Sequence, residues 1–66
     1  MKTYIKKTVH GYQIDIGKGI HKLTVSHIYK GVATCYLQES RPKYYKSKAA
    51  AERIARQIEA GEIKVK

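Results

Sequence analysis

Acidic side chains are scarce in this chain, with five Asp and Glu against fourteen Lys and Arg. The five are scattered, and no two sit at a spacing that argues for a carboxylate pair doing general acid and base work. Cysteine is nearly absent. Cys35 is alone, so it closes no internal disulfide, and with His10, His21 and His27 it makes no spacing that resembles a structural zinc site. His27 reads as an edge-of-core histidine and Cys35 as inert packing with no third orienting group beside it, so a cysteine nucleophile is not expected. Gly17-Lys18-Gly19 lacks both the Walker spacing and the helix that should follow a phosphate-cradling loop, and it reads as a turn. No run of about 18 consecutive apolar residues occurs, and the start MKTYIKKTVHGYQ has no signal-peptide core. These absences lead to an expectation of one small cytoplasmic domain over residues 1–66 that is not an enzyme. It would carry no cofactor and no metal, and would engage no membrane and no small-molecule substrate. In this size range burial on folding only just outweighs chain entropy, so a deep cleft is not expected either.

Positive charge is what the chain has in excess. The formal net charge is +9, and it is unevenly spread. Residues 1–48 hold ten Lys and Arg against Asp15 and Glu39, whereas residues 49–66 hold four against three acids. Small basic proteins meet polyanions, and here a polyanion should meet the first two-thirds of the chain.

The hydrophobic pattern predicts an α+β fold: an antiparallel sheet of three to five strands in two hairpins, with one C-terminal helix on one face. YIKKTV and YQIDI flank His10-Gly11, which predicts a first hairpin with a turn at that dipeptide. That register puts Ile5, Val9, Tyr12, Ile14 and Ile16 on one side, with Lys7 a misfit among them, and sets Lys6 opposite Asp15 on the other. LTVSHIYKGVATCYLQ predicts the second hairpin. A bare Lys30-Gly31 turn would mix polar and apolar residues on both sides. A three-residue loop with Gly31 as a bulge instead collects Leu23, Val25, Ala33, Cys35 and Leu37 on one side. Lys22, Thr24, Ser26, Ile28, Val32, Thr34, Tyr36 and Gln38 then take the other. SRPKYYKSK reads as a linking loop, Ser47 as an N-cap, Lys48 to Ala60 as a helix ended by Gly61, and EIKVK as a short closing strand. Ala51, Ile54, Ala55 and Ile58 form the helix's apolar stripe. Of Tyr44 and Tyr45, one is expected to pack at the helix start.

One helix cannot blanket both faces of such a sheet. The uncovered face would present Gln13, Thr24, Ser26, Thr34, Tyr36 and Gln38 from rigid strands, ringed by Lys6, Lys18, Lys22, Lys30, Arg41 and Lys43. The major groove of B-DNA admits a β-ribbon whose side chains reach base edges while flanking cations hold phosphates.

The stretch YYKSKAAAERIARQIEAGEI, behind a basic antiparallel sheet, resembles the arm-type DNA-binding domains at the N-termini of phage and transposon integrases. The resemblance implies a three-stranded sheet laid in the major groove and braced by the helix, with Lys22, Thr24, Thr34, Tyr36 and Gln38 facing DNA. The chain departs from that family in its extra hairpin, in the tail EIKVK and in having no recombinase domain after the helix. The expectation is therefore a stand-alone DNA binder of the kind phages and mobile elements carry. The rival expectation is a protein-interaction module that binds and inhibits or redirects a host protein, or that pairs two copies through an open face or edge, with Tyr36, Val32, Ile28 and the tyrosine pair as anchors.

Overall fold

The computed structural model describes residues 2–37 and 39–66. Strands β1 (Thr3–Thr8), β2 (Gly11–Ile16), β3 (Leu23–Tyr29), β4 (Val32–Leu37) and β5 (Lys64–Val65) form one sheet in the order β1-β2-β3-β4-β5. A single helical turn, Gly19–His21, precedes β3, and helix α1 (Lys48–Glu59) precedes β5. The fold is α+β as the pattern predicts, but the sheet is mixed, because β5 runs parallel to β4. The helix between them supplies the crossover that a parallel pair requires.

Helix α1 starts where Ser47 Oγ accepts the Ala50 N–H at 3.2 Å. It ends in a Schellman arrangement: Glu62 N–H donates to Gln57 O, and Gly61 N–H donates to Ile58 O, with Gly61 at φ +81°. Its stripe of Ala51, Ala55 and Ile58 packs chiefly over β1 and β2, where the small residues let it lie close. The buried core joins this stripe to Ile14, Ile16, Val25, Ala33 and Ile63. Glu59 fastens the far end of the helix to the sheet: its Oε2 accepts from Thr3 N–H at 2.9 Å and Thr3 Oγ1 at 2.8 Å. Those bonds, the backbone one first, hold the Glu59 carboxyl below its ordinary range.

Both hairpins sort their sides differently in detail from the sequence pattern. In the first, Ile5 pairs with Ile14 and Lys6 with Gln13, so the turn is Val9-His10 and not His10-Gly11. A shift of two residues preserves the period of the strand, so Ile5, Ile14 and Ile16 stay on the core side while Val9 is left at the turn tip, 96% exposed. Thr8 closes the turn by accepting His10 N–H at 3.1 Å and donating to Gly11 O at 3.0 Å. The expected Lys6–Asp15 cross-strand pair does not form.

In the second hairpin Leu23 pairs with Leu37 and Val25 with Cys35, as expected, but then the register slips: His27 pairs with Thr34 and Tyr29 with Val32. The loop is the bare Lys30-Gly31 turn, with φ of +50° and +76°, the conformation that matches strand twist. The extra residue is absorbed at Ser26, between Val25 and His27, and not at Gly31. The bulge repairs the sorting that a bare turn would spoil. It puts Ile28 on the core side and His27 on the polar face, each the reverse of the sequence expectation.

Strands β2 and β3 share only the pairs Asp15–Thr24 and Ile16–Leu23 before they part. The stretch read as a linking loop fills the wedge. Tyr45 and Tyr12 exchange backbone hydrogen bonds at 2.8 and 2.9 Å, and Lys43 N–H donates to Val25 O at 2.9 Å. Gly11 faces this insert so closely that a Cβ would lie 2.7 Å from Tyr45 O, and its φ is +135°. Residues 39–45 thus cross the polar face, enter the wedge and deliver the chain to the helix side. We call this segment the strap.

Candidate nucleic-acid interface

The face opposite α1 divides into two halves. Over the first hairpin and the start of β3 it is closed: Gln13, Asp15 and Thr24 are buried, at 1, 4 and 0% exposure. Buried polar groups of this kind must be satisfied by one another. Asp15 Oδ1 accepts from Gln13 Nε2 at 2.9 Å and from Thr24 Oγ1 at 3.0 Å. Glu39, reaching down from the strap, caps the cluster. Its Oε1 accepts from Lys6 Nζ at 2.9 Å and Gln13 Nε2 at 2.8 Å, and its Oε2 from Lys22 Nζ at 3.0 Å. Lys22 Nζ also lies 3.6 Å from Asp15 Oδ2. The hydrogen bond from Lys6, then those from Lys22 and Gln13, pull the Glu39 carboxyl down to about 2, and the bond to Glu39 raises the Lys22 ammonium.

Several sequence assignments change as a result. Thr24 cannot touch DNA, because its hydroxyl is buried and given to Asp15; Gln13 is likewise enclosed. Lys6 and Lys22 are each paired with Glu39, Lys6 with its side chain about half exposed and Lys22 more enclosed. Glu39 is the residue that sequence reasoning missed. Its signal was its isolation as one of two acids in a stretch of ten cations, the composition expected of an internal counter-charge.

The other half, over β4 and the end of β3, is open. Tyr36, Tyr29 and His27 are exposed, and Thr34, paired with His27, is half-buried. Lys30 is exposed at the β3–β4 turn, Arg41 and Lys43 are exposed on the strap, and Lys18 is exposed at the β2–β3 connection. Three of these cations lie over tyrosine rings: Lys18 Nζ is 4.9 Å from the Tyr4 centroid, Lys30 5.4 Å from Tyr29 and Lys43 5.3 Å from Tyr45. Such contacts steady a long side chain without neutralising it. Gln38, the remaining assigned residue, lies outside the described residues. Tyr44 is partly exposed, at 38%, and packs its ring against His10 at 5.3 Å, whereas Tyr45 is half-buried against the core, where burial raises its phenol. Cys35 is half-buried, and burial raises its thiol as well.

Among the described residues no three His, Cys, Asp or Glu side chains converge as metal ligands, and no helix is long and apolar enough to cross a membrane. No family model, curated protein or solved structure matches the chain.

Proposed function

We propose that this protein is a non-enzymatic duplex-DNA binder, and that its contact surface is the open half of the polar face. One observation carries the reading. Among the described residues the Glu39 cluster pairs both acids of residues 1–48 with two lysines, and the other eight cations of that stretch form no salt bridge. In this reading Lys30 holds phosphate at the turn of the open half, Arg41 and Lys43 hold it from the strap and Lys18 from the β2–β3 connection, while the Thr34 hydroxyl and the Tyr36 phenol stand toward base edges from rigid strands. An accessory protein of a phage or mobile element is the kind of molecule this suits.

The test is the dependence of duplex affinity on salt. Four phosphate contacts give a slope of log K against log [salt] of about −3.6, whereas an affinity that stays flat from low to high salt contradicts the proposal. Lys30→Glu should weaken binding more than Arg53→Glu, because the cations of the helix lie among acids. Equal losses at both sites would mean diffuse attraction with no contact face.

A second reading, a protein-interaction module, is favoured by the tyrosines left outside on β3 and β4, Tyr29 at 67% and Tyr36 at 37% exposure. A purified chain that fails to shift any duplex at low salt, yet retains a protein partner or a second copy of itself after nuclease treatment, would favour it.

A further inference from the structure

The three donors on Glu39 form a site in their own right. Lys6 Nζ, Lys22 Nζ and Gln13 Nε2 converge on one carboxylate within 2.8–3.0 Å, from three different strands or strand ends. Two of the three have a further partner besides Glu39. Gln13 is buried and holds Asp15 with the same amide nitrogen, and Lys22 is drawn toward Asp15 Oδ2. Convergent ammonium and amide donors recognise oxyanions in general, and a phosphate oxygen accepts the same charge-assisted bonds as a carboxylate oxygen.

The occupant, by contrast, is held under strain. Glu39 sits at φ +57° and Arg41 at φ +48°, left-handed conformations that cost a non-glycine residue about 1 kcal/mol or more each. The carboxylate is also tethered. A group on a short chain segment presents an effective concentration of roughly millimolar, enough to compete with a free anion of similar affinity.

We propose that Lys6, Lys22 and Gln13 make up an anion site for a phosphate group, and that Glu39 is its built-in occupant, competing with phosphate from outside. The duplex is the source of phosphate in this proposal, which to that extent rests on the DNA-binding reading. With Glu39 seated, Lys6 and Lys22 contribute nothing to a polyanion. With Glu39 withdrawn, they add two contacts beside those of the open half.

The experiment has two arms on the full chain. In the first, inorganic phosphate is titrated into Glu39→Ala at constant ionic strength against chloride, following the melting temperature and the side-chain amide signal of Gln13. The expected result is a saturable rise in melting temperature with a saturable Gln13 shift, both moved to higher phosphate in wild type, where Glu39 competes, and abolished by adding Lys22→Met. No saturation, or the same response in wild type, overturns the site. If the alanine chain does not fold in chloride, Glu39→Gln carries the same titration with a neutral occupant of similar size.

In the second arm, duplex binding by Glu39→Ala is compared with Glu62→Ala, an equal change of charge at an exposed residue. Glu39→Ala should bind on the order of tenfold more tightly than Glu62→Ala, with a salt slope steeper by about 1.8 for two added contacts. Equal gains in the two variants overturn duplex phosphate as the ligand. Phosphate binding in the first arm with no duplex binding by any chain keeps the anion site and overturns the DNA-binding reading.

Discussion

The two hairpins carry the same alternation of polar and apolar residues and put it to opposite uses. In β1–β2 the polar side, with Gln13 and Asp15, is enclosed, capped by Glu39 and satisfied internally. In β3–β4 the polar side from His27 through Tyr36 is left uncovered for most of its length. Thr24 and Thr34 show the contrast most directly. Both point away from α1, yet Thr24 is buried with its hydroxyl engaged and Thr34 is half-buried with no side-chain partner among the described residues. Strand alternation decides which way a side chain points, and a segment distant in sequence decides whether anything lies over it.

The sharpest way to break the comparison is to remove the acceptor at the centre of the closed half. Asp15→Ala leaves Gln13 and Thr24 without their shared partner, and it should destabilise the chain by about 3 kcal/mol in urea unfolding, a large share of what a domain this size has. A loss below about 1 kcal/mol would mean that water replaces the carboxylate and the half is not closed. Next in size is Gly11→Ala, expected to cost about 2 kcal/mol, because the new Cβ meets Tyr45 O and φ is unfavourable. Gly17→Ala is the control: it also has positive φ, but there is open space around it, and it should cost about 1 kcal/mol. Similar losses at both sites would show that the strap does not press on the first hairpin.

The threonine pair sharpens the same contrast with isosteric changes. Thr24→Val should cost about 1.5 kcal/mol, for a lost buried hydrogen bond, while Thr34→Val stays within about 0.5 kcal/mol. Denaturant midpoints at constant m-value read both. The mildest effect is on the pH profile. Glu39 is held at about 2 against an ordinary 4.5, so its contribution to stability is complete above pH 4.5 and is lost as pH falls toward 2. Glu59 shifts in the same direction and adds to the loss. Glu39→Gln should flatten the acid limb of a stability–pH curve, leaving the part due to Glu59, and should also reduce the loss of stability at alkaline pH, because the Lys22 ammonium is no longer raised by its bond to Glu39.

Most of what local pattern determines was legible in the chain. The N-cap at Ser47, the glycine stop at Gly61, the apolar stripe of α1 and the inward set Ile14, Ile16, Val25 and Ala33 follow from spacing and turn chemistry alone. The misses share a cause. The Ser26 bulge is a compromise between the twist that favours a two-residue turn and the burial that favours the other register, and spacing alone cannot weigh the two. The parallel β5 and the strap in the β2–β3 wedge depend on contacts between residues far apart in sequence, such as Tyr12 with Tyr45 and Val32 with Lys64. For the interface, the flanking Lys18, Lys30, Arg41 and Lys43 are exposed as the charge pattern implies, while Lys6, Lys22 and Thr24 belong to the closed cluster.

Chemical-shift mapping during titration with a mixed-sequence duplex tests the central claim most directly, because it reports both halves of the polar face at once. Saturable shifts should centre on Lys30, Thr34, Tyr36, Arg41 and Lys43 and be weak on the outer face of α1 around Arg53. A duplex that moves no signal at low salt, or one whose strongest shifts fall on the helix, would contradict it.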